Sequence, residues 1–98
     1  MSKNMKPQPH NRIMRKYQLG KIGLELVQEI RAFEYAHSGM GALSSDLGIE
    51  RFGGDGGAEL SRLMQRGHIR LVDVDRLQIA GPLRSELSPS YLESRRNG

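Results

Sequence analysis

The pattern of apolar residues changes its period in the C-terminal half of the chain, and this change predicts a helix followed by a β-hairpin. Ala58, Leu60, Leu63 and Met64 recur at the spacing that places side chains on one face of an α-helix. Gly67 follows them, at a position where helices commonly end in the left-handed conformation. Beyond this glycine the apolar residues alternate with polar ones, as in a half-buried strand.

The alternating stretch also predicts the register of the hairpin. A three-residue loop over Asp73, Val74 and Asp75 sets Leu71 opposite Leu77, and Ile69 opposite Ile79 on the same face. The other, solvent-facing side then carries Arg70 opposite Gln78 and Val72 opposite Arg76. A two-residue loop would set Leu71 against Gln78, so we favour the longer loop. Because an isolated hairpin is marginal in water, its apolar face should lie on the preceding helix.

Upstream, the longest helical pattern runs from Lys21 to His37 and carries a wide apolar stripe. A shorter helix is predicted from Ala42 to Leu47, closed by Gly48. The glycine-rich stretch over residues 53–57 (GGDGG) is then expected to form a flexible loop before the next helix, which should start near Ala58. Ser88 and Pro89 are typical of the start of a last, short helix.

These elements predict a small α+β domain, in which two or three N-terminal helices pack on a helix–hairpin unit. Residues 1–16 are expected to be a flexible basic arm, in which Asn11 could cap a short helical turn, residues 17–94 a single domain, and residues 95–98 a tail. The predicted core is Ile22, Leu26, Ile30, Phe33, Leu43, Leu47, Ile49, Leu60, Leu63, Met64, Ile69, Leu71, Leu77 and Ile79.

Charge is distributed unevenly along the 98 residues, whose formal net charge is +4. Residues 1–33 contain seven Lys/Arg and two Glu, whereas the remainder contains eight Lys/Arg and nine Asp/Glu. The basic character therefore belongs to the N-terminal third. Such arms bind nucleic acid or an acidic protein surface, although a solvated tail has the same composition.

The composition argues against several functional classes. The chain has no cysteine, no apolar run near the ~20 residues that span a bilayer, and no apolar signal core at its start. His10, His37 and His68 are scattered, so we expect no metal site, and no motif activates a nucleophile. We therefore expect a cytoplasmic, non-enzymatic binding protein without a cofactor and without a membrane partner.

Two family resemblances suggest what is bound. Residues 43–49 (LSSDLGI) are similar to the phrase that marks the supporting helix of bacterial winged helix-turn-helix domains, and residues 66–69 (RGHI) to the end of their recognition helix. The stretch from Lys21 to Gly81 resembles this family, with residues 67–79 as its wing. The resemblance implies binding to nucleic acid, with DNA the first candidate. The residues expected to contact it are Arg12, Arg15, Lys16, Arg62, Arg66, Arg70 and Arg76.

The stretch from Glu59 to Leu92 also resembles the N-terminal docking domains of tubulysin-type peptide/polyketide synthetases. It has a helix ending in Arg66-Gly67, a hairpin carrying residues 75–77 (DRL), then Pro82 and residues 87–89 (LSP). This resemblance implies a hairpin edge that captures an acidic segment of a partner protein, often in a homodimer. The expected contact residues are Arg70, Val72, Val74, Arg76 and Gln78.

The two interpretations predict different distributions of positive charge on the surface. If the arm, Arg62, Arg66, Arg70 and Arg76 converge on one face, nucleic-acid binding is favoured. If Arg62 and Arg66 point away from the wing while an unpaired, mildly apolar hairpin edge is exposed, docking is favoured. Dimerisation is compatible with both interpretations.

Overall fold

The computed structural model describes residues 9–87, which form the α+β domain that the sequence predicts. Its helices are α1 (Pro9–Tyr17), α2 (Lys21–Ala36), α3 (Gly54–Gln65) and α4 (Pro82–Glu86), and its strands are β1 (Ile69–Val72) and β2 (Arg76–Ile79). Two short 3-10 helices, Ser44–Leu47 and Ile49–Phe52, connect α2 to α3. The predicted start of a helix at Ser88 and the predicted tail lie outside the described residues.

The register of the hairpin is confirmed at all four pairs. Ile69 lies opposite Ile79 and Leu71 opposite Leu77, with residues 73–75 as the loop. Asp73 adopts a φ of 50°, a left-handed conformation that Asp tolerates better than most residues. Gly67 has a φ of 79°, so the predicted end of α3 is also confirmed.

A third segment, which the sequence did not predict, pairs with the hairpin. Ala42 forms an antiparallel bridge with Leu77 through two backbone hydrogen bonds of 2.9 and 2.7 Å. Strand β2 therefore lies between Ala42 and β1, and β1 is at the outside. Ala42 itself is fully buried.

The hairpin and α3 pack on α2 around one core, which contains most of the predicted residues. Leu26, Ile30, Leu47, Leu60, Leu63, Ile69, Leu77 and Ile79 are buried, whereas Ile22, Phe33, Leu43, Ile49 and Met64 are partly buried. The prediction for Leu71 is wrong, because its side chain is 54% exposed. It lies on the apolar face but near the loop end of the outer strand β1, whereas Ile69 on the same strand is buried. Buried residues that the prediction omitted are Ile13, Leu19, Leu24, Val27, Ala42, Leu83 and Leu87.

The predicted basic arm extends too far into the chain. Residues 9–17 form α1, and Ile13 on this helix is only 1% exposed, so α1 is part of the folded domain. Arg12, Arg15 and Lys16 are exposed on the same helix, and these charges are the reason why the sequence indicated a solvated arm.

The glycine-rich stretch is also not a loop. It forms the first turn of α3, which begins at Gly54. Gly56 is buried against the second 3-10 helix, where an added Cβ atom would lie 2.7 Å from both Ile49 Cγ1 and the Ile49 carbonyl oxygen. A glycine is needed here because only a bare backbone lets the two elements approach so closely.

Helix α4 was not predicted, and a buried carboxylate fixes it in place. Glu34 on α2 is fully buried and pairs with Arg31, at 3.0 Å, and with Arg84 on α4. Leu83 and Leu87 are fully buried on the same helix. Pro82 occupies the first turn of α4, where proline is tolerated.

Candidate functional site

The outer edge of β1 is the candidate docking site, and the hydrogen bonds of the hairpin show which of its backbone groups are free. The Ala80 N–H donates to the His68 carbonyl oxygen at 2.9 Å. Because bonded and non-bonded pairs alternate along an antiparallel ladder, Arg70–Gln78 and Val72–Arg76 are also bonded pairs. The N–H and C=O groups of Ile69 and Leu71 therefore point away from β2, toward the outside of the sheet.

The opposite edge of the hairpin, along β2, is closed. Leu77 exchanges both of its outward hydrogen bonds with Ala42. At Ile79 two side chains take the place of a strand: Glu34 Oε2 accepts the Ile79 N–H at 2.8 Å, and Arg84 donates to the Ile79 carbonyl oxygen at 3.1 Å. Among the described residues, β1 is thus the strand that presents backbone groups for pairing.

The side chains of this edge are mildly apolar. Leu71 is 54% exposed and Val74, at the tip of the loop, is 92% exposed. Arg70 is exposed and donates to Gln78 Oε1 at 3.3 Å, a contact that leaves its charge unneutralised. Leu71 was the residue that the docking interpretation missed, since its spacing assigned it to the core.

The other expected docking residues are engaged within the domain. Arg76 is half-buried and donates to the Gly41 carbonyl oxygen at 2.9 Å, and Gln78 donates to the Gly39 carbonyl oxygen at 2.6 Å. Val72 is partly buried beside Gly41. The prediction that Arg76 faces solvent freely is therefore wrong, and Arg70 and Val74 are the members of the predicted set that remain accessible.

Two of the cations predicted to bind nucleic acid are held at the corner between α1 and α4. Glu86 accepts a hydrogen bond from Arg12 at 2.8 Å, from Lys16 at 2.7 Å and from the Tyr17 hydroxyl at 3.0 Å. The hydrogen bond from Lys16, followed by that from Tyr17 and the charge of Arg12, lowers the pKa of Glu86. The same contact raises the pKa of Lys16, and burial raises that of Tyr17.

The remaining predicted cations lie elsewhere. Arg66, at the end of α3, donates to the Gln18 carbonyl oxygen at 2.9 Å, which brings the ends of α1 and α3 together. Arg15 is exposed on the last turn of α1. Arg62 pairs with Glu59 on its own helix at 2.8 Å. The seven predicted residues are therefore distributed over several places: the α1–α4 corner, the exposed last turn of α1, helix α3 with its C-terminal end, and the hairpin.

The solvent-facing start of α3 offers little for reading bases. Gly54, Asp55, Gly57 and Ala58 are exposed there, and none carries a side-chain hydrogen-bond donor. Residues 9–87 together contain eleven Lys/Arg and ten Asp/Glu, so the described domain is nearly neutral. Any contact with nucleic acid would rest on phosphate groups and on the arginines at the two corners.

Within residues 9–87, no helix is both long and apolar enough to cross a membrane, and no three metal-binding side chains come together. The chain matches no protein-family model, and neither curated proteins nor solved structures provide a match.

Proposed function

We propose that the protein is a docking module that binds an extended segment of a partner protein along the outer edge of β1. One observation carries this proposal: β1 presents the outward backbone groups of Leu71, a residue that is 54% exposed, while the β2 edge is closed by Ala42, Glu34 and Arg84. Natural sheets usually cover or charge such an edge, because it pairs readily with another chain.

The side chains along the edge suggest the chemistry of the partner. A strand added to β1 gains main-chain hydrogen bonds, and its alternate residues meet Leu71 on one face and Arg70 on the other. We expect an apolar residue next to Leu71, where it would cover the exposed side chain. An acidic residue suits Arg70, whose charge has no carboxylate within ion-pair distance among the described residues.

Selection of binders from a random peptide library, displayed against the intact protein, tests this proposal. Leu71→Pro should abolish binding of the selected peptides, because it removes the outward N–H without breaking a bond to β2. Leu71→Ser should weaken binding, whereas Met40→Ser should not, since Met40 is similarly exposed (49%) but lies off the edge.

Hydrogen exchange provides the positive signature. In a complex with a selected peptide, the amide of Leu71 should become protected, while that of Val72 should already be slow in the free protein. Peptides that bind equally to the Leu71→Pro variant would rule out the β1 edge as the docking site.

Binding to the nucleic-acid backbone is a second candidate, which a different observation favours. The order of a long helix, short helical segments, a further helix and a hairpin agrees with the winged-helix resemblance, and the Ala42–Leu77 bridge places one more backbone segment beside β2. In addition, Arg15 on the last turn of α1 and Arg66 at the α1–α3 corner have no acidic partner among the described residues. These cations suit phosphates rather than base edges.

An arbitrary-sequence duplex, titrated over a salt series, tests the second candidate. Arg66→Ala should weaken binding and reduce the salt slope by about 1, as expected for one lost phosphate contact. Arg51→Ala is the control, since it removes an equal charge that pairs with Glu25 at 3.6 Å. The contribution of the N-terminal residues should be tested by deleting residues 1–8, because a deletion through residue 16 would remove the buried Ile13.

A further inference from the structure

The cluster at the α1–α4 corner contains two cations and one carboxylate. Glu86 is 15% exposed in its side chain, whereas Arg12 and Lys16, which both donate to it, are 61% and 54% exposed. An open cavity lies over the cluster, lined by Arg12, Lys16, Tyr17, Pro82, Ser85 and Glu86. Solvent therefore reaches the ends of both basic side chains while they remain paired.

The backbones on the two sides of the cluster are firmly held. Ile13 and Leu19 anchor α1 in the core, and the fully buried Leu83 and Leu87 anchor α4. Glu86 stays in place for this reason, but the long side chains of Arg12 and Lys16 can rotate toward an external anion. Exposed ion pairs are weak enough for such an exchange.

We propose that Glu86 acts as an internal competitor, which holds Arg12 and Lys16 away from the phosphodiester backbone of a bound nucleic acid. This inference rests on the second candidate function and is independent of docking at β1. The two cations lie one helical turn apart, about 6 Å along α1, and the exposed Arg15 lies between them in sequence. Such a row of positive charges suits the regular charge spacing of a nucleic-acid strand.

Competition predicts a specific effect of removing the carboxylate. Once Glu86 is replaced, the side chains of Arg12 and Lys16 can contact phosphates without first breaking an ion pair. Affinity should rise, and the dependence on salt should become steeper, because more counterions are released on binding.

The test uses the full chain, a labelled duplex of arbitrary sequence and fluorescence anisotropy over a range of salt concentrations. Glu86→Gln should bind roughly two- to tenfold more tightly than the wild type at low salt. Its salt slope should be steeper by up to about 2, one for each released cation. Glu25→Gln is the matched control: it removes the same charge and likewise frees a cation, Arg51, outside the cluster, so a larger gain for Glu86→Gln belongs to Arg12 and Lys16.

Two further experiments separate the proposal from a structural effect of the substitution. In Arg12→Ala/Lys16→Ala/Glu86→Gln, the gain in affinity and slope should disappear. In the wild type, addition of duplex should shift the carboxyl carbon resonance of Glu86 as its partners leave, a readout that does not depend on the variant folding.

The outcomes are distinguishable. The proposed competition would be contradicted if Glu86→Gln and Glu25→Gln had equal affinities and salt slopes. An unchanged Glu86 resonance on addition of duplex would also contradict it. Equal gains for the duplex and for poly-glutamate would overturn the assignment to nucleic acid. Absence of duplex binding by every variant would overturn the second candidate function as well, and would leave docking at β1 unaffected.

Discussion

The carboxylate of Glu34 accepts the backbone N–H of Ile79 at 2.8 Å, so a side chain of α2 completes the hydrogen bonding of β2 where the neighbouring strand ends. Arg84 donates to the same carboxylate and also to the Ile79 carbonyl oxygen. One buried acid thereby joins three elements, namely α2, β2 and α4. It also leaves β1 as the open edge of the hairpin.

Glu34→Ala should destabilise the domain by about 3–5 kcal/mol, because it leaves Arg31 and Arg84 without a partner and the Ile79 N–H without an acceptor. Urea denaturation followed by circular dichroism measures the change in the free energy of unfolding. Glu25→Ala, at a half-exposed position, should cost about 0–1 kcal/mol. Similar losses in the two variants would show that the buried cluster contributes little to stability.

Gly56→Ala and Gly57→Ala should change stability in opposite directions, although the two residues are neighbours on α3. An added Cβ atom at Gly56 meets Ile49 at 2.7 Å, so the helix must move away and stability should fall by about 1–3 kcal/mol. At Gly57 nothing lies within 4 Å, and the higher helix propensity of alanine should add about 0.5–1 kcal/mol. Thermal unfolding of both variants tests this pair, and a stabilised Gly56→Ala would contradict the close approach of α3 to the second 3-10 helix.

The sequence predicted those features that depend on local patterns. The register of the hairpin followed from the alternation of apolar and polar residues, which set two pairs of aliphatic side chains opposite each other. The helix from Lys21 to Ala36 followed from its wide apolar stripe. Gly67 ended α3 as expected because a left-handed residue was needed at that point.

Features that depend on distant contacts were not predictable in this way. The exposure of Leu71 follows from the central position of β2, which the pairing of Leu77 with Ala42 determines. Glu34 looked like any other polar residue of α2, since its partners Ile79 and Arg84 lie 45 and 50 residues away. The seven cations proposed for nucleic-acid binding were assigned by the winged-helix resemblance, and two of them, Arg12 and Lys16, pair with Glu86 on α4, an element that the sequence analysis did not predict.

Leu71→Ala and Leu77→Ala should differ clearly in their effect on stability, although the two residues face each other in the hairpin. Leu77 is 3% exposed, so its truncation should cost about 2–5 kcal/mol. Leu71 is 54% exposed, and its truncation should cost at most about 1 kcal/mol, because little buried surface is lost. Chemical denaturation measures both values. A large loss for Leu71→Ala would place this side chain in the core and remove it from the proposed docking edge.

The contribution of Glu86 to the free energy of unfolding should depend on pH, in the direction that the lowered pKa of its carboxyl group determines. Its pKa in the folded state is below the ordinary value of 4.5, so the carboxylate stabilises the fold at pH values above 4.5. This contribution should be lost as the pH falls through the lower folded-state pKa, where the carboxyl group becomes protonated. The groups that face it are Arg12, Lys16 and Tyr17, and the pKa values of Lys16 and Tyr17 are raised, so these two keep their protons throughout this range.

Denaturation of the wild type and of Glu86→Gln between about pH 7 and pH 2 measures this dependence. The wild type should be the more stable protein at neutral pH, and the difference should shrink in acid. Glu25→Gln, measured in parallel, shows how much of the change any surface carboxylate produces. A difference between wild type and Glu86→Gln that stays constant down to the lowest pH would mean that the contact of Glu86 with α1 adds nothing to the folded state, and that Arg12 and Lys16 are free without competition.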